Sequence, residues 1–178
     1  QTQDATTKLV KMREDLIQFL PNHPQLGKLN VDFKHLFASW FNRGFLVLRP
    51  ISWSSPAHIL EKIITYESVH EIENWDDLRR RLQPDDRRCF AFFHPAMPDE
   101  PLIFVEVALT EGTPDSIQKI LLESRDVIGA DNADTAAFYS ISNCQAGLAG
   151  ISFGNSLIKT VVQHLLRELP QIRNFVTL

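Results

Sequence analysis

Apolar side chains at Leu9, Met12, Leu16, Ile17 and Leu20 fall on one helical face and predict an amphipathic helix over 5–20. After the turn-rich NHPQLG, the same period returns at Phe33, Leu36, Phe37, Trp40 and Phe41. It predicts a helix over 32–43, with Asp32 as N-cap and Gly44 at its end. Two amphipathic helices cannot enclose a core, so their apolar faces require further partners. From Gly44 the texture changes. GFLVLRPI (44–51) reads as a strand closed by Pro50, and Ser55-Pro56 opens a helix that turns Ile59, Leu60, Ile63 and Ile64 inward. Asn74 is placed to cap NWDDLRRRL, where Asp76 and Asp77 sit near the positive helix end. RCFAFFHP (88–95) and PLIFVEVAL (101–109) are two strong strands whose short link suits an antiparallel hairpin. Thr113-Pro114 starts another helix, with Ile117, Ile120 and Leu121 on one side, and residues 124–134 read as a loop.

The last stretch is the most informative. TAAFYSISNC (135–144) is a strand, QAGLAGISFG (145–154) a glycine loop, and NSLIKTVVQHLLREL (155–169) a helix with Leu157, Ile158, Val161, Val162, Leu165, Leu166 and Leu169 on one face. Pro170 stops that helix, and 171–178 has strand character. The reading is an α+β chain: helices over 1–44, then a mixed α/β region over 45–178, with the seam at Gly44.

Composition narrows the chemistry. The 178 residues carry 18 Lys+Arg against 22 Asp+Glu, a formal net charge of −4, and are 44% hydrophobic. This excludes a disordered chain and disfavours nucleic acid as a partner, because no strong positive field attracts phosphates. No apolar run reaches the roughly 18–20 residues of a membrane span. The N-terminal stretch lacks the pattern of a secretory signal, and Cys89 and Cys144 make no disulfide or metal framework. These features predict a cytoplasmic protein with two reduced core thiols and no membrane partner.

Only seven glycines are present, yet Gly147, Gly150 and Gly154 cluster together. A strand passing through such a turn into a helix presents backbone N–H groups and a positive dipole end to an anion, above all a phosphate. The spacing from Gln145 through Gly147 and Gly150 to Gly154 is neither GxxxxGK[ST] nor GxGxxG, and Lys159 lies too far into the helix for a Walker lysine. Nucleotide triphosphate hydrolysis is disfavoured, while a plain strand–helix turn stays open.

The Gln-x-x-Gly-like spacing between a strand and an amphipathic helix, followed by another strand, resembles the acyl-CoA loop of the GNAT acetyltransferase superfamily. That resemblance implies loop amides on the CoA pyrophosphate and a pantetheine arm between strands 135–144 and 171–178. WFNRGFLVLRPISWSSPAHILEKI, FAFFHPAMPDEPLIFVEVALT and AAFYSISNCQAGLAGISFGNSLIK are more specific and resemble the malonyl-CoA decarboxylase family over essentially the whole chain. The resemblance implies that 1–44 are the C-terminal part of a helical oligomerisation domain, giving a homo-oligomer, and 45–178 the first part of a GNAT-like domain that converts malonyl-CoA to acetyl-CoA and carbon dioxide without a metal or organic cofactor. It places malonyl-CoA binding on Ala149, Gly150, Ile151, Ser152, Phe153, Gly154 and Asn155; Gln145 and Gly147 join them as members of the same loop. Ser152 stands where animal members have glutamate, so no side-chain role carries over there. The family's catalytic serine and histidine match positions beyond Leu178, so these residues supply substrate positioning and no catalytic group. Two other readings use the same loop: a GNAT-type acyltransferase, and a silent CoA-binding or oligomerisation module.

The remaining candidates read mainly as structural. His70-Glu71-Ile72-Glu73 lacks the second histidine of HExxH and reads as a solvated turn. His94 reads as held by backbone and His164 as surface. Strand alternation turns Glu106 outward. Ser140 and Ser142 share a face, with a ligand contact and a structural hydrogen bond both open. Arg79, Arg80, Arg81, Arg87 and Arg88 read as a solvated cluster among Asp76, Asp77, Asp85 and Asp86.

Overall fold

Hydrophobic periodicity and turn chemistry account for most of the architecture in a computed structural model that describes residues 4–153 and 156–178. Two helices come first, α1 (Ala5–Phe19) and α2 (Gly27–Trp40). Among the described residues, β1 (Val47–Ile51), β2 (Arg87–Phe93), β3 (Ile103–Thr110), β4 (Thr135–Asn143) and β5 (Asn174–Thr177) form one sheet in that order. The first four strands are antiparallel and β5 pairs parallel to β4, from Thr135↔Asn174 to Phe138↔Thr177. α3 (Ala57–Tyr66) and α4 (Trp75–Leu82) cover one face with Ile59, Leu60, Ile63, Leu78 and Leu82. α6 (Ser156–Glu168) covers the other with Leu157, Val161 and Leu165. The short α5 (Ile117–Leu121) packs Ile120 on Ala108, Ala137 and Tyr139. α1 and α2 close the hairpin end of the sheet, where Val10, Phe37 and Phe41 meet Met97, Leu102 and Leu148.

Several boundaries differ from the expectation for physical reasons. α2 begins five residues before Asp32, which lies inside it; Pro24 opens a 3-10 turn, and Gly27 continues with ordinary helical angles instead of stopping the chain. α1 buries Val10, Arg13 and Leu16, whereas Met12 is 56% exposed. β1 starts at Val47 and continues through Pro50 to Ile51, tolerable because β1 is an edge strand. α5 starts at Ile117, capped by Ser116, and not at Pro114.

The expected cap on α4 is present. Asn74 Oδ1 accepts from the Asp77 backbone N–H at 2.9 Å. Asn74→Ala is expected to cost about 1 kcal/mol, read as a lower thermal midpoint with the helix signal otherwise preserved; an unchanged midpoint would show the cap to be idle.

The largest departure concerns charge. Glu106 is fully buried. Strand alternation sends a polar residue to solvent only when one sheet face is wet, and β3 is central and covered on both sides. Arg81 and Arg87 are likewise buried, so the basic cluster is only partly a solvated face. Arg81 Nη1 and Nη2 donate to His70 O (2.7 Å) and Glu71 O (2.8 Å), while Arg87 Nη2 donates to Ile120 O (2.7 Å). His164 is half-buried, its ring 5.1 Å from that of Phe90. Cys89 and Cys144 are free and buried, and burial raises both thiols above their ordinary range. Among the described residues, no helix is long and apolar enough to cross a membrane.

Candidate functional site

At the end of β4 the chain enters the glycine loop as a 3-10 turn, Ala146–Leu148. The loop borders a cavity of about 570 Å³ whose walls include Gln145, Ala149, Gly150, Ile151 and Phe153. Lys11 and Glu14 of α1 and residues 65–68 at the end of α3 also line it. Five of the residues expected to touch a ligand thus converge on one space. Ser152 is exposed and does not line it. Gly154 and Asn155 lie outside the described residues.

Two loop residues also carry packing roles. Gly147 does not line the cavity. A Cβ built there would lie 1.9 Å from Val10 O, so glycine is needed for contact with the α1 backbone. Gln145 is buried and donates through Nε2 to Pro101 O at 2.9 Å, anchoring the loop to the β2–β3 hairpin. Gly150 has φ +74°, a left-handed conformation that glycine adopts without strain. Within the loop, the N–H groups of Leu148, Ala149 and Ile151 donate to Gln145 O, Ala146 O and Leu148 O.

Arg13, unforeseen from the sequence, is 1% exposed. Its guanidinium donates to Gly147 O at 2.7 Å, Ala149 O at 2.8 Å and Asn30 Oδ1 at 3.1 Å. Burial lowers its proton affinity, but a guanidinium stays charged at any working pH. A signal existed: Arg13 lies between Val10 and Leu16 at helical spacing, a charge in the middle of an apolar stripe.

Behind the cavity wall runs a buried polar ladder. Glu67 accepts from Ser140 Oγ at 2.7 and 2.9 Å, from Ser142 Oγ at 3.2 Å, and from the N–H groups of Val69 (2.7 Å) and His70 (2.9 Å). Ser140 and Ser142 therefore have a structural role, tying the cavity wall to β4. Glu106 Oε2 faces Arg81 Nη1 at 3.4 Å, and the Glu67 carboxyl neighbours the same group. Burial pushes the Glu106 carboxyl up to about 8, against the pull of Arg81 and with a further push from Glu67. His94 accepts from Ala96 N–H at Nδ1 (3.0 Å), leaving Nε2–H to donate to Trp40 O (3.0 Å). Among the described residues, no group of three or more His, Cys, Asp or Glu side chains is placed to hold a metal ion.

Two family models match the chain: the malonyl-CoA decarboxylase N-terminal domain over residues 1–41 and the C-terminal domain over 44–178. A mitochondrial malonyl-CoA decarboxylase from Anser anser anser is 44% identical over 96% of the chain, which spans 35% of that relative's length. The solved malonyl-CoA decarboxylase from Agrobacterium vitis is 63% identical at a TM-score of 0.95, with 99% of this chain and 43% of that one covered. An aminoglycoside acetyltransferase from an uncultured soil metagenomic sample shares the fold at 11% identity and a TM-score of 0.50, over 76% of this chain and 78% of its own. The chain thus spans about a third of the length of the curated relatives it matches.

Proposed function

Because the chain belongs to the malonyl-CoA decarboxylase family, we propose that its glycine loop and cavity hold the CoA portion of malonyl-CoA for decarboxylation to acetyl-CoA and carbon dioxide. The observation that carries this reading is the convergence of Gln145, Ala149, Gly150, Ile151 and Phe153 on one cavity at the end of β4. Internal bonds take the N–H groups of Leu148, Ala149 and Ile151. The amides of Gly150, Ser152 and Phe153, followed by Gly154, Asn155 and the start of α6, are the donors we assign to the pyrophosphate. The pantetheine arm then runs along the cavity beside Tyr66 and Asn143.

Loss of carbon dioxide leaves an electron pair on the thioester as an enolate, which requires hydrogen-bond donors at the carbonyl oxygen. A proton must then reach the carbon to give acetyl-CoA. Residues 1–178 contribute orientation of the substrate. We assign the acid–base step to the family's serine and histidine, which match no position in these residues. No metal or organic cofactor enters this scheme. We also propose that residues 1–44 belong to a helical domain through which copies associate, that 45–178 begin the GNAT-like catalytic domain, and that the protein works in a reducing compartment such as the cytoplasm, which suits the two buried thiols.

The test uses the whole-length protein with malonyl-CoA, following carbon dioxide and acetyl-CoA, and repeats the assay with an added amine. Stoichiometric carbon dioxide and acetyl-CoA are expected, unaffected by the amine. Acyl transfer to the amine would favour the acyltransferase instead, and neither product would leave a silent module.

A further inference from the structure

A cation from the N-terminal helices holds the glycine loop from behind. Arg13 is buried, and among the described residues no carboxylate pairs with it; its acceptors are two loop carbonyls and the Asn30 amide oxygen. Burying a charge among neutral acceptors is costly, so its placement against this loop needs a reason. The peptide geometry supplies one. In a trans peptide the C=O and N–H point in opposite directions. With Ala149 O fixed on Arg13, the Gly150 N–H of the same peptide is turned away from the guanidinium. Gly150 lines the cavity, and its φ of +74° is a conformation that glycine adopts without strain. A second cation stands at this residue: a Cβ on Gly150 would lie 3.3 Å from both Cε and Nζ of Lys34, an exposed side chain of α2.

We propose that the N-terminal helices complete the anion site: Arg13 is a positioning residue that aims the Gly150 amide, and Lys34 is a binding residue for the phosphates of the ligand. The proposal rests on the reading of the loop as a CoA site. It makes the helical segment part of substrate recognition as well as a candidate surface for association.

Decarboxylation by the whole-length protein is compared for malonyl-CoA and malonyl-pantetheine, the thioester lacking the nucleotide and its phosphates. Lys34→Gln is expected to raise KM for malonyl-CoA roughly fivefold while leaving kcat and the malonyl-pantetheine KM unchanged. Arg13→Lys keeps the charge but loses the planar fork, and is expected to raise KM for malonyl-CoA roughly tenfold with the same selectivity. Circular dichroism reports whether each variant is folded; if Arg13→Lys is not, the exposed Lys34 variant decides alone. Equal effects on both substrates, or none on either, overturn the proposal. If the unaltered protein releases no carbon dioxide, the functional reading fails separately. Calorimetric affinity for CoA against pantetheine then decides the anion site, and undetectable CoA binding by the unaltered protein overturns it too.

Discussion

Gly147→Ala is expected to destabilise the protein by about 3–5 kcal/mol, a large share of the roughly 5–15 kcal/mol typical of a folded domain. The added Cβ would stand 1.9 Å from Val10 O and 2.7 Å from Val10 C, both backbone atoms that no rotamer change can move aside. Relief requires α1 to retreat from the loop. That retreat lengthens the Arg13 bonds to Gly147 O and Ala149 O and leaves a guanidinium partly buried without its acceptors. Overpacking and the lost charge-assisted bonds therefore act together. Denaturant titration checks the magnitude, and hydrogen exchange should show protection lost first over residues 5–40. Gly27→Ala is the control: Gly27 is helical and nothing lies within 4 Å of its Cβ position, so a neutral or slightly stabilising effect is expected. A Gly147→Ala protein within 1 kcal/mol of the original would refute the close-packing account.

The second large effect lies in the buried charged cluster around Arg81. Arg81→Met removes donors from Asp77 Oδ2 (3.0 Å), His70 O (2.7 Å), Glu71 O (2.8 Å) and Glu106 Oε2 (3.4 Å). Leaving these acceptors unpaired is expected to cost about 3–5 kcal/mol. Glu106→Gln should be mild near neutral pH, because a carboxyl pushed up to about 8 is mostly protonated there and the amide is a close neutral replacement. The same group sets a pH dependence. Below its ordinary value of 4.5, Glu106 is protonated in both folded and unfolded chains and contributes no slope. Between 4.5 and about 8 the folded chain keeps the proton that the unfolded chain loses, so Glu106 makes stability fall as pH rises. Above about 8 both forms are ionised and its slope vanishes. Denaturation midpoints across pH 5–8 should fall less steeply in Glu106→Gln than in the unaltered protein; parallel curves would remove Glu106 as the cause.

Local pattern carried most of the fold. The α3 stripe Ile59–Leu60–Ile63, the Asn74 cap, the hairpin of β2 and β3 and the passage from β4 through the glycine loop to α6 all depend on neighbours within a few residues. The site was legible to the extent that Gln145, Ala149, Gly150, Ile151 and Phe153 share one segment and one cavity. Helix edges were less legible, since Pro24 and Gly27 act through a 3-10 turn that resembles a plain loop in sequence.

What the sequence determined by itself is the order of helices and strands, the glycine turn, and a family resemblance spread along the chain. Only the tertiary structure decided what the charged residues and glycines do. Arg13 and Gly147 are 134 positions apart, yet one bonds the other's carbonyl. Glu106 interrupts an apolar strand, and layers on both faces bury it beside Arg81. Periodicity encodes which way a residue faces along its own element. Whether that direction holds water, a carbonyl or another charge depends on which distant segment packs there.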